Sequence, residues 1–465
     1  MMRRAAAVIA ARTAAGLSRR LRAGGGTALP GLIAERIDPG IVGGLAAELG
    51  LGSILVTGTN GKTTTSRLLR NIVSAAGMQP VGNAEGSNMM RGVAAALAEA
   101  ATWRGELPAN EGRVGVFEVD EAAMPLIARE VKPRTVVFTN LFRDQLDRYG
   151  EVDTVASLWQ EAVRGFPENV VLAINADDPS VASLREHATG RVVLYGLDDP
   201  GAAGKRVEHA ADARWCRTCG EELRYSAVFY GHIGHWSCAS CGNARPKPDV
   251  VCVAARSTPD EMDCQLRTPS GPIEARLPLR GVYNVYNALA AAAGAIALEI
   301  GNPAIEEGLA QFTAAFGRQE RLEIDGRLVE IILAKNPAGL NQVLRTITTD
   351  DSQKSVVFFL NDRIADGRDI SWIWDVDFEL LAGRLRALTV SGTRAWDMAL
   401  RLKYAGLTDA PSVERDAARA LRSALKQTPD GGTLYVIPTY TAMLEVRNIL
   451  GRWAGRGAFW QGDNT

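Results

Sequence analysis

One stretch, Ser53-Ile-Leu-Val-Thr57-Gly58-Thr59-Asn60-Gly61-Lys62-Thr63-Thr64-Thr65, constrains what this chain can fold into more than any other. It opens as a short apolar, β-branched run, the pattern of a buried strand. A glycine-containing turn follows, then a helical pattern from Thr64 to about Ala76. A strand–turn–helix of this kind aims successive backbone N–H groups at a phosphate, and the helix dipole favours negative charge there. Lys62 is placed to reach the β- and γ-phosphates of a nucleotide, and the Thr63 hydroxyl to hold Mg²⁺. Both side chains are expected to face a solvent-filled phosphate site. The full P-loop pattern wants a glycine where this chain has Val56, so the match is to a shorter variant. An ordinary glycine turn before a helix is the alternative. The Lys62-Thr63 pair at the turn-to-helix step argues for phosphate.

At 465 residues the chain exceeds one hydrophobic core and suggests about three domains. The net charge of −1 offers no electrostatic case for nucleic acid. No apolar run approaches the roughly 20 residues of a membrane span. Met1 to Ala23 is rich in Arg and Ala and has no acidic residue, as targeting peptides are. Arg12, Arg19 and Arg20 interrupt any apolar region, and Ala7-Val8-Ile9-Ala10-Ala11 is too short to form one, so a basic amphipathic helix is expected.

Further continuous apolar runs lie at 114–119, 135–139, 169–174 and 191–195, with helical patterns between them. That is the pattern of a parallel sheet buried on both faces. Acidic and polar residues fall at the strand ends: Glu118, Asp120, Glu121, Asn140, Asn175, Asp177 and Asp178. In open α/β sheets the ligand lies at these ends. Helix N-capping is the competing role, strongest for Asp177-Asp178-Pro179. It is weakest for Glu118, which sits within an apolar run and wants a cation nearby.

Cys216-Arg-Thr-Cys219-Gly and Cys238-Ala-Ser-Cys241-Gly then form two Cys-x-x-Cys-Gly knuckles. Their spacing reads as a zinc ribbon, a closed Cys₄ structural site, in a reducing compartment. Disulfides are the alternative. His232 and His235 lie between the knuckles, but four cysteines suffice. Tyr225, Phe229, Tyr230 and Trp236 look like the core of a small hairpin. A helix opens at Gly281-Val-Tyr283-Asn284-Val-Tyr286-Asn287 and runs to about Leu298. Past Phe316-Gly317-Arg318 an α/β pattern resumes, with strands at 328–333, 356–360, 387–390 and 434–437. The polar tail after Trp460 is expected to be disordered.

Five blocks in this order resemble the Mur ligase family: Gly58 to Thr64, the Glu118 strand end, Thr139-Asn140 with Asp144-Gln145-Leu146-Asp147-Arg-Tyr149-Gly150, Tyr283-Asn284-x-x-Asn287, and Gly317-Arg318. Two features narrow the resemblance: the Cys₄ insert, and the block Ala334-Lys335-Asn336-Pro337 with Asn361-Asp362-x-x-Ala-Asp366-Gly367-Arg-Asp369-x-Ser371-Trp372-Ile-Trp374-Asp375. They are similar to the amidating branch of the family, the synthetase subunits of lipid II isoglutaminyl synthases. The resemblance implies an α/β fold. A Mur ligase-like central P-loop domain with a parallel sheet (46–315) would carry an inserted zinc ribbon (207–250). A basic helical segment (1–45) would precede it, and a smaller doubly wound α/β domain (316–465) would follow.

The resemblance further implies ATP, Mg²⁺ and structural Zn²⁺ as cofactors. Gly58, Thr59, Asn60, Gly61, Lys62, Thr63 and Thr64 would cradle the phosphates, with Thr63 and Glu118 on Mg²⁺. Asn284 or Asn287 would read the adenine, Arg318 would face the γ-phosphate, and Cys216, Cys219, Cys238 and Cys241 would hold zinc. The implied reaction amidates the α-carboxyl of D-glutamate in the lipid II stem peptide, through an acyl phosphate kept from water by a closing C-terminal domain. Ammonia would come from a GatD-type glutamine amidotransferase subunit in a heterodimer, with Asp369 acting catalytically in trans on that partner. The enzyme would be cytoplasmic, with a peripheral position at the inner face of the membrane left open. No nucleic-acid partner is expected.

The chain also departs from the family. Gln145 stands where many members have a metal-binding His, and no lysine lies between Lys132 and Lys205 to be carbamylated. Lys335 stands in a rebuilt amino-acid pocket. Two other readings remain open: a stand-alone ligase adding an amino acid to a peptidoglycan precursor or folate-like acceptor, and a non-catalytic nucleotide-binding scaffold.

Overall fold

The structure is a computed structural model that describes residues 2–21, 28–84, 86–108, 112–144, 152–204, 211–258, 261–312, 318–407 and 411–455. The side chains of residues 18–21 and of Arg318 are outside this description, as are residues 145–151, Phe316-Gly317 and the tail after Trp460. Two compact units emerge: residues 1–142, 152–206 and 213–313 form the first, and residues 143–151, 207–212 and 314–465 the second.

The first unit is built on a nine-stranded sheet. Its strands are β1 (Ser53–Thr57), β2 (Gln79–Val81), β3 (Arg113–Glu118), β4 (Thr135–Phe138), β5 (Val171–Asn175), β6 (Val192–Leu197), β9 (Val250–Ser257), β10 (Met262–Thr268) and β11 (Gly271–Leu277). The order is β11-β10-β9-β6-β5-β4-β1-β3-β2. From β2 to β9 every pairing is parallel. All of β1 and β4 is buried, as strands covered on both faces must be.

The strands from which a parallel sheet is expected all pair parallel, and the structure adds an antiparallel extension to them. β9, β10 and β11 pair antiparallel. Exposure alternates strictly along β10, the mark of an edge extension with one face in water.

Helices α1 (Met2–Leu21), α2 (Ala28–Ile37), α3 (Ile41–Ala46), α4 (Lys62–Ala75), α5 (Met90–Ala100), α6 (Met124–Val131), α7 (Val152–Arg164), α8 (Pro179–Ala182), α9 (Val282–Ala297) and α10 (Asn302–Ala310) flank the sheet. Residues 1–45 belong to this unit, with α1 packed on α2 and α5. From Asn284 onward every residue of α9 is buried, and its alanines let it lie close across α4, β4, β5, β6 and β9. A two-stranded hairpin, β7 (Arg224–Tyr230) and β8 (Ile233–Ser237), stands apart from the sheet. No helix among the described residues is long and apolar enough to cross a membrane.

The second unit is a six-stranded sheet, β12 (Arg318–Ile324), β13 (Arg327–Ile332), β14 (Lys354–Phe359), β15 (Leu385–Ser391), β16 (Ser412–Val413) and β17 (Thr433–Pro438), in the order β12-β13-β17-β14-β15-β16. Only the β12–β13 hairpin is antiparallel. Helices α11 (Pro337–Ile347), α12 (Ala395–Tyr404), α13 (Ala417–Gln427) and α14 (Tyr440–Trp453) complete the unit, with one apolar cluster on each face of the sheet. This is the doubly wound domain anticipated from the sequence.

Candidate active site and zinc centre

The loop after β1 is held by the end of β4. Thr59 N donates to Asn140 O (2.9 Å) and Asn60 N to Asn140 Oδ1 (2.9 Å), while Thr139 Oγ1 donates to Asn60 O (2.9 Å). Glycine is required twice. At Gly58 (φ 138°) an added Cβ would lie 2.0 Å from Thr139 Oγ1, and at Gly61 (φ 85°) 2.0 Å from Asn287 Oδ1. The helix begins at Lys62, two residues before the position anticipated, directly after the left-handed Gly61. Gly61→Ala should therefore cost about 1–3 kcal/mol of stability and lower nucleotide affinity. Thermal melts with and without ATP check both.

Lys62 and Thr63 are both buried, contrary to the expectation of a solvent-filled site. Lys62 Nζ donates to Glu121 Oε2 (2.9 Å) and to the carbonyls of Gly58 (2.5 Å) and Thr59 (3.2 Å). Burial pushes its pKa down, but Glu121, Glu118 and Asp120 together outweigh this and raise it. In the sequence Glu121 is one of several strand-end acids. Its role as the lysine's partner depends on the turn after β3, and no local pattern shows that.

Glu118 ends β3 beside Val56 and is buried. Asn83 clamps it, accepting from Glu118 N (2.9 Å) and donating to Glu118 O (2.8 Å). Glu121 is the carboxylate bonded to Lys62, and Glu118 and Asp120 add to the negative field around it. Carboxylate and hydroxyl oxygens are the hard donors that Mg²⁺ takes, and the Thr63 hydroxyl and the Glu118 carboxylate are of that donor type.

Asn284 and Asn287 are turned inward. Asn284 Nδ2 donates to Arg280 O (2.7 Å), and Asn287 Nδ2 to Asn284 Oδ1 (3.0 Å). Asn287 thus braces Gly61. Arg318 opens β12 in the second unit.

The four knuckle cysteines converge, all Sγ atoms lying within 4.8 Å of one another. Cys216 and Cys241 are 3.6 Å apart, and Cys219 and Cys238 3.4 Å. A disulfide needs about 2.05 Å. Tetrahedral Zn–S bonds of about 2.3 Å put sulfurs about 3.8 Å apart, so zinc fits and disulfides do not. Burial resists ionisation of Cys216, but the Cys219 and Thr218 N–H groups bring its pKa down to about 7. The Cys241 N–H leads in lowering that of Cys238. Both histidines are elsewhere: His232 Nε2 lies 3.4 Å from Asp178 Oδ2, and His235 Nε2 2.8 Å from Leu197 O.

Of the two aspartates for which helix capping competed most strongly, Asp178 takes that role and Asp177 fastens the zinc hairpin to the sheet. Asp178 caps α8, accepting from Ser180 N and Val181 N. Asp177 is fully buried, bonded to Arg245, to Tyr286 Oη (2.6 Å) and to Leu197 N (2.8 Å). Gly234 N donates to Asp177 O (2.9 Å), and Trp236 Nε1 to Ala176 O (3.1 Å).

In the second unit Lys335 forms an ion pair with Asp144, and Asn336 caps α11 through Gly339 N (2.8 Å). The four aspartates after β14 separate clearly. Asp366 is buried and accepts from Thr441 N (2.7 Å). Asp362 pairs with Arg394 (3.2 Å), and Asp375 with Arg143 (3.2 Å). Asp369 is exposed, with Oδ1 accepting from Ser371 N (2.8 Å), and no cation among the described residues pairs with it.

A P-loop whose lysine is paired with a buried carboxylate, on a parallel sheet followed by a second α/β unit, is the architecture of the Mur ligases. The Mur ligase middle domain family matches residues 56–233, and the MurT ligase C-terminal family residues 333–443. The pseudomurein peptide ligase type C from Methanothermus fervidus superposes with a TM-score of 0.65 at 25% identity, covering 86% of this chain and 78% of that one. MurF from Acinetobacter baumannii gives 0.65 at 20% identity, covering 90% and 81%. The chain belongs to the Mur ligase family and is an ATP-dependent ligase. Within that family it belongs with MurT. The lipid II isoglutaminyl synthase (glutamine-hydrolyzing) subunit MurT of Staphylococcus aureus (strain COL) is 34% identical over 92% of this chain and 93% of its own length. The subunit of that name from Streptococcus pneumoniae is 32% identical over the same shares.

Proposed function

We propose that this chain is the synthetase subunit of a lipid II isoglutaminyl synthase. It amidates the α-carboxyl of D-glutamate in the stem peptide of lipid II, with ammonia from a GatD-type glutamine amidotransferase subunit. A carboxylate is a poor electrophile, so one of its oxygens first attacks the γ-phosphorus of ATP and ADP departs. The ammonia lone pair then attacks the carbonyl carbon of the acyl phosphate. The C–O bond to phosphate breaks, inorganic phosphate leaves, and nitrogen loses a proton. Mg²⁺ on Thr63 and Glu118 would neutralise phosphate charge when bound. Lys62 orients the phosphates, with Arg318 assigned the γ-phosphate, and the N–H groups from Gly61 to Thr64 cradle them. Those of Thr59 and Asn60 are held by Asn140.

The observation that carries this reading is a division of labour within one chain. The P-loop unit has what carboxylate activation needs, yet past Cys264 there is neither Cys nor His. The MurT-type unit therefore has no Cys–His pair to release ammonia from glutamine. It presents Asp369 to solvent instead. Trp374, Trp396, Leu400 and Tyr404 are also exposed in this unit, an apolar surface suited to a partner protein.

Asp369 then orients the histidine of the partner's Cys–His pair, as the third member of a triad. Asp369→Asn keeps the bond to Ser371 N, so folding and assembly are retained. Glutamine-dependent amidation should fall at least about a hundredfold. Added ammonium salt should restore it. Unchanged glutamine hydrolysis by the assembled complex would end the trans-triad idea.

A further inference from the structure

α1 is an amphipathic helix with its inner face already occupied. Ala7, Val8 and Ala11 are buried, and the helix packs on α2 and α5. Its outward face carries Met2, Ile9 and Leu17, joined by Leu29 of α2 and by Trp103 in the loop after α5. These five are between 44% and 90% exposed. The loop is fixed beside the helix: Gly105 lies against the Arg4–Ala5 backbone, closer than a Cβ would allow. Arg12 links the two, stacking 4.4 Å over the Trp103 ring and donating to Ala101 O (2.7 Å). Arg3 and Arg104 are exposed, with Arg3 Nε donating to Ile37 O. Six arginines precede the first acidic residue of the chain, Glu35.

We propose that this face is a membrane-contact surface that lays the first unit on an anionic phospholipid bilayer. It rests on the lipid-borne acceptor proposed above, which gives the chain reason to work at a bilayer. An apolar strip flanked by arginines, with a tryptophan at its border, matches the headgroup boundary, where apolar groups enter the acyl region and guanidinium groups meet lipid phosphate. Packing contacts connect α2 to the site. Gly31 of α2 abuts Arg91 O at the start of α5, Gly92 abuts Ser87 O, and Asn83, bonded to Ser87 O, clamps Glu118.

The test is co-sedimentation of the full chain with vesicles of phosphatidylglycerol and phosphatidylcholine, and with phosphatidylcholine alone, without acceptor lipid. Wild type should pellet with the anionic vesicles and be released by high salt. An Ile9→Glu/Leu17→Glu variant should bind at least about tenfold more weakly, and Trp103→Ser should also bind more weakly. Leu126→Glu, which changes an exposed leucine on α6, should bind like wild type. With the partner present, the double variant should be slow on acceptor presented in vesicles and normal on a soluble stem-peptide acceptor. No wild-type binding to anionic vesicles would overturn the proposal. So would equal binding by the double variant, or equal loss with Leu126→Glu. If wild type bound vesicles yet amidated no lipid-borne acceptor, the surface would stand and the acceptor reading would fall.

Discussion

Lys62→Ala should lower ATP-dependent turnover by a factor on the order of 10⁴ or more, since it removes a phosphate-binding charge from a buried site. It should also destabilise the protein, which a solvent-facing lysine would not do. Removing the ammonium leaves Glu121 buried without its cation, and breaking a buried pair costs about 3–5 kcal/mol. Thr63→Ala should lose activity with a much smaller change in melting temperature, so the two variants separate catalysis from stability. The pH dependence has a definite sign. The lysine's pKa is raised above its ordinary 10.5, so its contribution is complete below that value and is lost only as pH rises through the higher folded one. Between about pH 6 and 9 this pair should add no slope to stability. Near-normal turnover by either variant would show that the loop is not a phosphate site.

Cys216→Ser, or removal of metal by a chelator, should lower the melting temperature by about 10 °C or more, since structural zinc contributes several kcal/mol to folding. One Zn²⁺ per chain with four sulfur ligands should be found by elemental analysis and X-ray absorption. The loss should spread beyond the hairpin. Cys216 and Cys238 pack with Trp236, which bonds to Ala176, and Asp177 next to it bonds Tyr286 on α9. The same helix carries Asn287, which braces Gly61. Chelation should therefore weaken ATP binding at a distance while touching no reacting group. A zinc-free protein with an unchanged melting temperature would rule out a structural metal.

What the sequence determined by itself was local. The phosphate loop, the two cysteine knuckles and the two α/β units could be read because each depends on residues a few positions apart, or on unbroken apolar runs. The zinc hairpin likewise follows from its own spacing. What only the tertiary structure decided depends on contacts between distant segments. Lys62 and Glu121 are 59 positions apart, and their pairing depends on β1 and β3 lying side by side. The same kind of contact makes Asp177, which the sequence leaves open between ligand group and helix cap, an anchor, because Arg245 and Tyr286 reach it from far along the chain. β9 to β11 escaped notice because alternation in an edge hairpin is a weaker signal than the continuous runs of a buried strand. Four aspartates crowd the loop after β14, and composition cannot rank them. Folding does so by giving Asp362 and Asp375 each an arginine and Asp366 the backbone of Thr441, while Asp369 is left facing solvent.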